Sequence, residues 1–287
     1  MIVVTGATGR LGRQTVESLL ARGVAAADIA VAVRDTAKAA DLAALGVQVR
    51  EGDYDRPETL AAAFAGADPL VLVSANAPDN DLRIAQHAAA VAAAAEAGVG
   101  RIVYTSIVEA DTNPIALAKV HSTTEDAIRA TGLPFTFLRN GWYFENYTAN
   151  LPGALEHGGQ VGTAGEGRIA AAAIADYADA AAVVASTDGH AGAVYELTGD
   201  ASWSLTELAA EVAKQTGTEF GYTDLPAEAF ADILTGAGLP AGLVDLLVDA
   251  ETHTRAGALG LITSDLRTLI GRPTTVLSQA VAEALKG

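Results

Sequence analysis

The first dozen residues constrain this chain more than any other stretch. A β-branched run, Ile2–Thr5, breaks into Gly6-Ala7-Thr8-Gly9-Arg10-Leu11-Gly12 and passes at once into an amphipathic segment over residues 9–22. Three glycines at this spacing, after a strand and opening a helix, form a dinucleotide-binding turn. Gly6 permits the tight turn, Gly9 lets a pyrophosphate approach the backbone, and Gly12 lets helix and strand pack closely. The helix start adds free N–H groups and the positive end of its dipole. Residues Gly6, Ala7, Thr8, Gly9, Arg10, Leu11 and Gly12 are therefore the predicted phosphate cradle.

The same alternation continues downstream. Short apolar runs at 30–34, 48–51, 70–74, 101–106 and 136–139 are separated by helical patterns at 37–45, 57–64, 79–97 and 121–131. Unbroken apolar strands between helices imply a parallel sheet covered on both faces. Right-handed crossovers make it doubly wound. Gly23, Gly46, Gly98 and Gly132 stand where helices should stop, and Pro57 opens one. After Asn150 the rhythm changes, with an irregular, glycine-marked excursion over 158–167. A helix near 176–185 and a strand at 194–198 return to the sheet, and from Trp203 the segments are mainly helical, with one strand near 219–223. The predicted fold is an α/β, doubly wound parallel sheet (Rossmann) with a smaller, mainly helical C-terminal domain. Residues 1–152 and 168–200 are assigned to the dinucleotide-binding domain, and 153–167 and 201–287 to the substrate-binding domain.

The end of the second strand selects the cofactor. An NAD site places Asp or Glu about 20 residues beyond the turn, to accept from the ribose hydroxyls. Here the place is taken by Val33-Arg34, and the planar guanidinium fork suits a 2′-phosphate. Lys38 follows four residues later, while Asp35 is a competing acid next door. The expected cofactor is NADPH. Two further strand ends face the same crevice, because ligands bind beyond the carboxyl ends of the strands. Asp53, in Gly52-Asp53-Tyr54, could accept from the adenine amino group, and the small residues Ser74-Ala75-Asn76 would let a nicotinamide ribose approach. Both tripeptides are also ordinary turn chemistry.

Of the 15 aromatic residues, 6 fall between Phe135 and Tyr147. Phe135 and Phe137 belong to a strand. Trp142, Tyr143, Phe144 and Tyr147 follow Arg139-Asn140-Gly141 at its carboxyl end, beside the expected nicotinamide. Large flat side chains there suit a small planar substrate, by offset stacking, although core packing accounts for some of them.

Charge and composition exclude several classes. With 18 Lys+Arg against 35 Asp+Glu, the net charge of −17 argues against nucleic acid and against an anionic membrane surface. The absence of cysteine removes disulfides, thiolate metal sites and cysteine nucleophiles, and fits a cytoplasmic protein. The histidines at 87, 121, 157, 190 and 253 lack metal-ligand spacing, so no metal is expected. No basic leader precedes the first strand and no stretch is long enough for a membrane span. Residues 230–247 are apolar enough to line a pocket or form an interface, which leaves a homodimer open.

Taken with Gly52-Asp53-Tyr54, Tyr104-Thr105-Ser106, His121 with Thr124-Glu125, and Leu138-Arg139-Asn140-Gly141-Trp142-Tyr143, the glycine turn and Val33-Arg34 resemble an atypical short-chain dehydrogenase of the NmrA-like group. Tyr195-Glu196-Leu197, Gly199-Asp200 and Gly271-Arg272-Pro273-Thr274-Thr275 extend the similarity over almost the whole chain. Within the group the chain most resembles the bacterial NADPH:quinone oxidoreductases of the second type, which lack flavin and zinc. The resemblance implies hydride transfer from NADPH directly to a quinone or similar conjugated carbonyl. It adds Ser106, Asn140, Gly141 and Trp142 to the cofactor contacts, puts Trp142, Tyr143 and Phe144 against the substrate, and makes Tyr143 and His121 the assisting catalytic residues.

Two departures matter. The Tyr-x-x-x-Lys of ordinary short-chain dehydrogenases is replaced by Leu117 and His121, the quinone-reducing relatives also lacking that tyrosine, and Ile174 stands where relatives often have Arg. A quinone tolerates the missing acid, because hydride attack yields a delocalised hydroquinone anion with a weak demand for a proton. Catalysis would then rest on holding two flat rings at about 3–3.5 Å. The missing acid also supports the alternative, a non-catalytic NADP(H)-sensing regulatory protein of NmrA type.

Overall fold

A computed structural model describes residues 1–77 and 79–286. The chain runs β1 (Ile2–Thr5), α1 (Arg10–Ala21), β2 (Ile29–Val33), α2 (Ala40–Ala44), β3 (Gln48–Glu51), α3 (Leu60–Phe64) and β4 (Leu70–Leu72). Next come α4 (Asn80–Glu96), β5 (Ile102–Ile107), α5 (Ala116–Ala130), β6 (Phe135–Asn140), α6 (Glu145–Thr148), α7 (Leu151–Glu156) and β7 (Gly159–Gly162). The remainder is α8 (Ile174–Ser186), β8 (Val194–Leu197), α9 (Leu205–Thr216), β9 (Gly221–Asp224), α10 (Ala227–Gly236), α11 (Ala241–Arg255), α12 (Asp265–Ile270) and α13 (Leu277–Ala284).

Two compact units form, the first from Met1–Asp111, Lys119–Asn140 and Ile174–Glu196, the second from Thr112–Ala118, Gly141–Ala173 and the chain from Leu197 on. The first unit thus stops at Asn140, ahead of the boundary expected at 152, and resumes at Ile174. Backbone pairing accounts for the earlier crossing. Gly141 N–H donates to the Leu197 carbonyl at 2.7 Å, Phe144 N–H to Ala172 at 3.1 Å, and Ala172 N–H to Trp142 at 3.2 Å, all within the second unit.

The seven-stranded sheet has the order β3-β2-β1-β4-β5-β6-β8, and the neighbours from β3 through β6 pair in parallel. Strand order reverses between β1 and β4, and that switch point is where a doubly wound sheet opens its binding crevice. Thr5 secures the opening, since its hydroxyl accepts from Val73 N–H at 2.8 Å and from the Tyr54 hydroxyl at 2.7 Å. Tyr54 also reaches the Val73 carbonyl at 3.0 Å. Behind the strands, Val3, Leu60, Phe64, Leu70, Ile102 and Phe137 are fully buried in one apolar cluster. On α1, Ser18 Oγ donates to Asp179 of α8 at 2.8 Å.

The second unit carries a small parallel pair, β7 and β9, in the register Gly159↔Gly221 to Gly162↔Asp224. This strand lies in the segment expected to be irregular; its glycines serve close approach, because a Cβ on Gly159 would sit 2.5 Å from the Gly221 carbonyl oxygen. Helix α5 also differs from expectation, starting at Ala116 instead of His121. Its first turn is held by Asp249, whose carboxylate accepts from Ala116 N–H at 2.8 Å. The helix expected over 37–45 is split into a 3₁₀ turn, Thr36–Ala39, and α2. Among the described residues no helix is long and apolar enough to cross a membrane.

Candidate active site

The glycine turn closes on itself as its spacing requires. Gly6 has φ +64°, Gly9 N–H donates to the Gly6 carbonyl at 2.9 Å, and Gly6 N–H to Ala32 of β2 at 3.3 Å. A Cβ on Gly12 would stand 2.5 Å from the Gly6 carbonyl oxygen and 2.8 Å from that of Thr5, which is backbone against backbone. Ala7 is fully buried, whereas Thr8, Gly9 and Arg10 are exposed and Leu11 is half-buried. Helix α1 begins after Gly9 with no side-chain cap and no acidic residue in its first turn. Its leading N–H groups and dipole are therefore available to an anion.

Arg10 lies on this turn, and Arg34 and Lys38 follow β2, whose end pairs with β1 at Thr5↔Ala32. Arg10, Arg34 and Lys38 are exposed, and among the described residues none of their side chains has a hydrogen-bond or ion-pair partner. Arg13, by contrast, is paired with Asp41. Asp35, the neighbour that competes with Arg34 in the sequence, is committed locally: its Oδ1 accepts from Ala37 N–H at 3.0 Å and caps the 3₁₀ turn. A tight glycine turn that opens an uncapped helix, beside cations without counter-charges, fits a phosphorylated dinucleotide.

The two other strand ends are ordered by turn chemistry. Asp53 accepts from Asp55 N–H at 3.0 Å and from Arg56 Nε at 3.3 Å, while its own N–H donates to Thr59 Oγ1 at 3.0 Å. Ser74 and Ala75 are half-buried and Asn76 is exposed. Helix α4 grips both ends of residue 75: Ala75 N–H donates to His87 Nε2 at 2.9 Å, and Arg83 Nε donates to the Ala75 carbonyl at 2.7 Å. His87 and Arg83 were not singled out from the sequence. The only signal for them was position on the helix that follows Asn76.

At the far end of β5 the predicted cofactor residue Ser106 has a different engagement. It is buried, and its hydroxyl donates to Glu125 at 2.6 Å. Glu125, with no exposure, also accepts from Arg139 Nε at 2.9 Å and Nη2 at 2.7 Å. Arg139 reaches on to Asp111 at 2.6 Å and Glu196 at 2.9 Å. Burial works against its charge, but its hydrogen bonds to Glu125, Asp111 and Glu196 prevail and raise its pKa further. Asn140 is buried next to it. An arginine inside an otherwise apolar strand required such partners, yet their identity was not readable from spacing.

His121 is buried on α5, with Tyr104 Oη 2.8 Å from its Nδ1. Burial first, then the proximity of His87 and Arg83, holds its pKa well below the ordinary imidazole range. His87 is pushed down to about 4 by burial and by Arg83. Any donation from His121 at neutral pH is thus from a neutral ring.

In the second unit, Gly141 is buried and Trp142 and Tyr143 are half-buried. The Tyr147 hydroxyl hydrogen-bonds Trp142. Phe144, expected against substrate, is 2% exposed and lies parallel to Trp203 at 5.5 Å, with Tyr147 edge-on to the same indole at 5.3 Å. Its ring belongs to the core of that unit and forms one wall of a cavity of about 400 Å³ with Trp203, Asp200, Glu207 and Thr274. Among the described residues no group of three or more His, Cys, Asp or Glu could hold a metal ion.

Residues 1–259 match the model of the NmrA-like family. The chain is 47% identical over 98% of its length, and 98% of the relative's, to quinone oxidoreductase 2 of Escherichia coli strain K12. It is 29% identical to the NAD(P)H azoreductase of Xenophilus azovorans, covering 97% and 96% of the two chains. Among solved structures, the NADPH-dependent quinone oxidoreductase of Escherichia coli complexed with NADPH superposes with a TM-score of 0.95 at 46% identity, covering 99% of this chain and 100% of that one. The triphenylmethane reductase of Citrobacter sp. complexed with NADP(H) gives 0.94 at 37% identity, covering 99% and 100%.

Proposed function

Because the chain belongs to the NmrA-like family, we infer that it is an NADPH-dependent oxidoreductase passing a hydride directly to a quinone or a similar conjugated carbonyl. The observation that carries this reading is near full-length identity to a quinone oxidoreductase, joined to a glycine cradle flanked by cations without partners.

The residue roles follow from their chemistry. The turn Gly6–Gly12 and the first N–H groups of α1 hold the pyrophosphate, with Arg10 beside it. Arg34 and Lys38 take the 2′-phosphate; the guanidinium fork provides geometry and the ammonium a point charge. Asp53 retains lone pairs for the adenine amino group. The Ser74-Ala75-Asn76 loop, gripped by His87 and Arg83, receives the nicotinamide ribose. Ser106 acts with Glu125 to shape the floor there, and Asn140 and Gly141 lead the chain into Trp142. Trp142 and Tyr143 offer flat faces to a planar substrate, while Phe144 supports them from the core. When bound, NADPH supplies the hydride. The reduced quinone leaves as a weakly basic oxyanion, so a weak hydrogen-bond donor suffices and a strong general acid is unnecessary. In this reading the enzyme works in the cytoplasm.

The test is direct. Protein mixed with NADPH and a panel of benzoquinones and naphthoquinones is followed by loss of the reduced-nicotinamide absorbance. Turnover with NADPH preferred over NADH is expected. Tight NADPH binding with no consumption across the panel would refute the enzyme reading in favour of a cofactor sensor.

A further inference from the structure

Arg83 holds the Ala75 carbonyl, yet that contact uses only one edge of its guanidinium. Its Nε–H donates to the carbonyl at 2.7 Å. The remaining N–H groups, on Nη1 and Nη2, have no hydrogen-bond or ion-pair partner among the described residues. The side chain is half-buried, but neither of these nitrogens is sealed from solvent. Every electrostatic feature of the position disfavours a lone cation. Burial lowers the pKa of the guanidinium and no carboxylate offsets it, whereas Arg13, Arg56 and Arg139 are each paired with one. Arg83 also stands in the first turn of α4, at the positive end of the helix dipole. The acids nearest in sequence do not answer it: Asp79 caps the helix, accepting from Leu82 N–H at 2.8 Å, and Asp81 is exposed and forms no ion pair with it among the described residues.

The loop that Arg83 holds fixes where this spare edge lies. Val73 packs against the phosphate turn, since a Cβ on Gly6 would lie 3.6 Å from that of Val73. Ser74 N–H donates to Thr105 Oγ1 of β5 at 3.0 Å. Ala75 is therefore at the carboxyl edge of the sheet, next to the β1/β4 switch point, and Arg83 is anchored to it. Ligands of a doubly wound sheet bind along that edge. We propose that Arg83 is an anion-binding residue of this crevice, whose Nη edge takes an oxyanion of a bound ligand, either a phosphate of the cofactor or an ionised oxygen on a planar second ligand. Such an anion supplies the counter-charge that the chain itself withholds. The bond from Nε to Ala75 fixes the plane of the guanidinium, so the fork is presented ready-made. No proton moves, because the guanidinium stays charged. The site needs only a ligand in the crevice and does not rest on the quinone-reductase reading.

The experiment measures equilibrium binding to the full-length protein and to its Arg83→Gln and Arg83→Lys variants. Removing Arg83 strands no carboxylate, so Arg83→Gln should keep the wild-type fold, checked by its melting temperature. One arm titrates NADPH and NADH by nicotinamide fluorescence. The other titrates 2-hydroxy-1,4-naphthoquinone, ionised at neutral pH, against neutral 1,4-naphthoquinone, with the oxidised cofactor bound so that nothing turns over. Arg83→Gln should lose about tenfold in one arm, the weight of one charge-assisted hydrogen bond, and Arg83→Lys should recover part of it. Weaker binding of NADPH and NADH alike puts the oxyanion on the cofactor; weaker binding of the ionised naphthoquinone alone puts it on the second ligand. Unchanged binding in both arms would overturn the proposal. So would an equal loss for every ligand, neutral naphthoquinone included, or a loss that Arg83→Lys leaves in full, since either marks a collapsed loop and not a missing charge. Failure of the wild type to reduce any quinone would count against the functional reading and leave both arms readable.

Discussion

Replacing Arg34 with alanine isolates the contact that the cofactor preference depends on. The guanidinium is exposed and has no partner among the described residues, so its removal breaks no internal ion pair and strands no buried charge. The change should therefore appear in binding and leave the fold intact. A hydrogen bond to a charged group contributes about 1.5–3 kcal/mol, and solvent screening at an exposed site favours the lower end. At about 1.5 kcal/mol, NADPH binding should weaken roughly tenfold. NADH lacks the 2′-phosphate and should lose little. The readout is the ratio of the two dissociation constants, titrated by nicotinamide fluorescence, because a general disturbance of the cradle cancels in it. Salt supplies an independent check. The Debye length falls from about 10 Å at 0.1 M to about 3 Å at 1 M, so the wild-type preference should shrink with ionic strength, and that of the variant, which keeps only Lys38, should shrink less. Asp35 does not complicate this, since its carboxylate is held by Ala37 N–H. Equal weakening for both cofactors, at any salt, would refute the assignment of Arg34 to the phosphate.

Other variants probe the remaining parts. Gly12→Ala puts a methyl 2.5 Å from the Gly6 carbonyl oxygen, so α1 must shift; a loss of about 1–3 kcal/mol of stability and a marked loss of NADPH affinity are expected, and an unchanged melting temperature would contradict the contact. Arg139→Leu takes from Glu125, with no exposure, two of its three arginine hydrogen bonds and leaves it Arg129 and Ser106; destabilisation of about 3 kcal/mol should be seen in urea, and relieved in part by adding Glu125→Leu. Glu251 accepts from Thr163 N–H at 2.6 Å, and burial pushes its pKa up to about 7. A carboxyl raised above its unfolded value stabilises most below the unfolded pKa, and that contribution is lost as pH climbs through about 4.5 to 7. Thermal melts should show this slope, on the order of 3 kcal/mol at most, and Glu251→Gln should flatten it; an identical slope in the variant would assign the effect elsewhere. Tyr143→Phe should keep turnover if the ring serves as a stacking face, and a large fall in kcat would make its hydroxyl a participant.

What could be read in advance follows a physical division between short-range and long-range chemistry. The β1–turn–α1 unit was legible because each glycine answers a constraint within seven residues. The four predicted helix stops, Gly23, Gly46, Gly98 and Gly132, all adopt positive φ for the same local reason. Asp35 and Asp53 close turns that their neighbours already announced. Helix α5 began earlier than its pattern suggested because its first N–H is satisfied by Asp249, 133 residues away. Phe144 was read as facing substrate, since no local signal reveals that Trp203 lies parallel to it. His121 was given a role and His87 and Tyr104 were not, because their contacts span 17 to 37 residues and exist only once the sheet has formed. Phosphate recognition relies on backbone, which a turn motif specifies completely. Buried polar clusters rely on side chains brought together by the fold, so the contacts among His87, Tyr104 and His121 are disclosed only by the folded molecule.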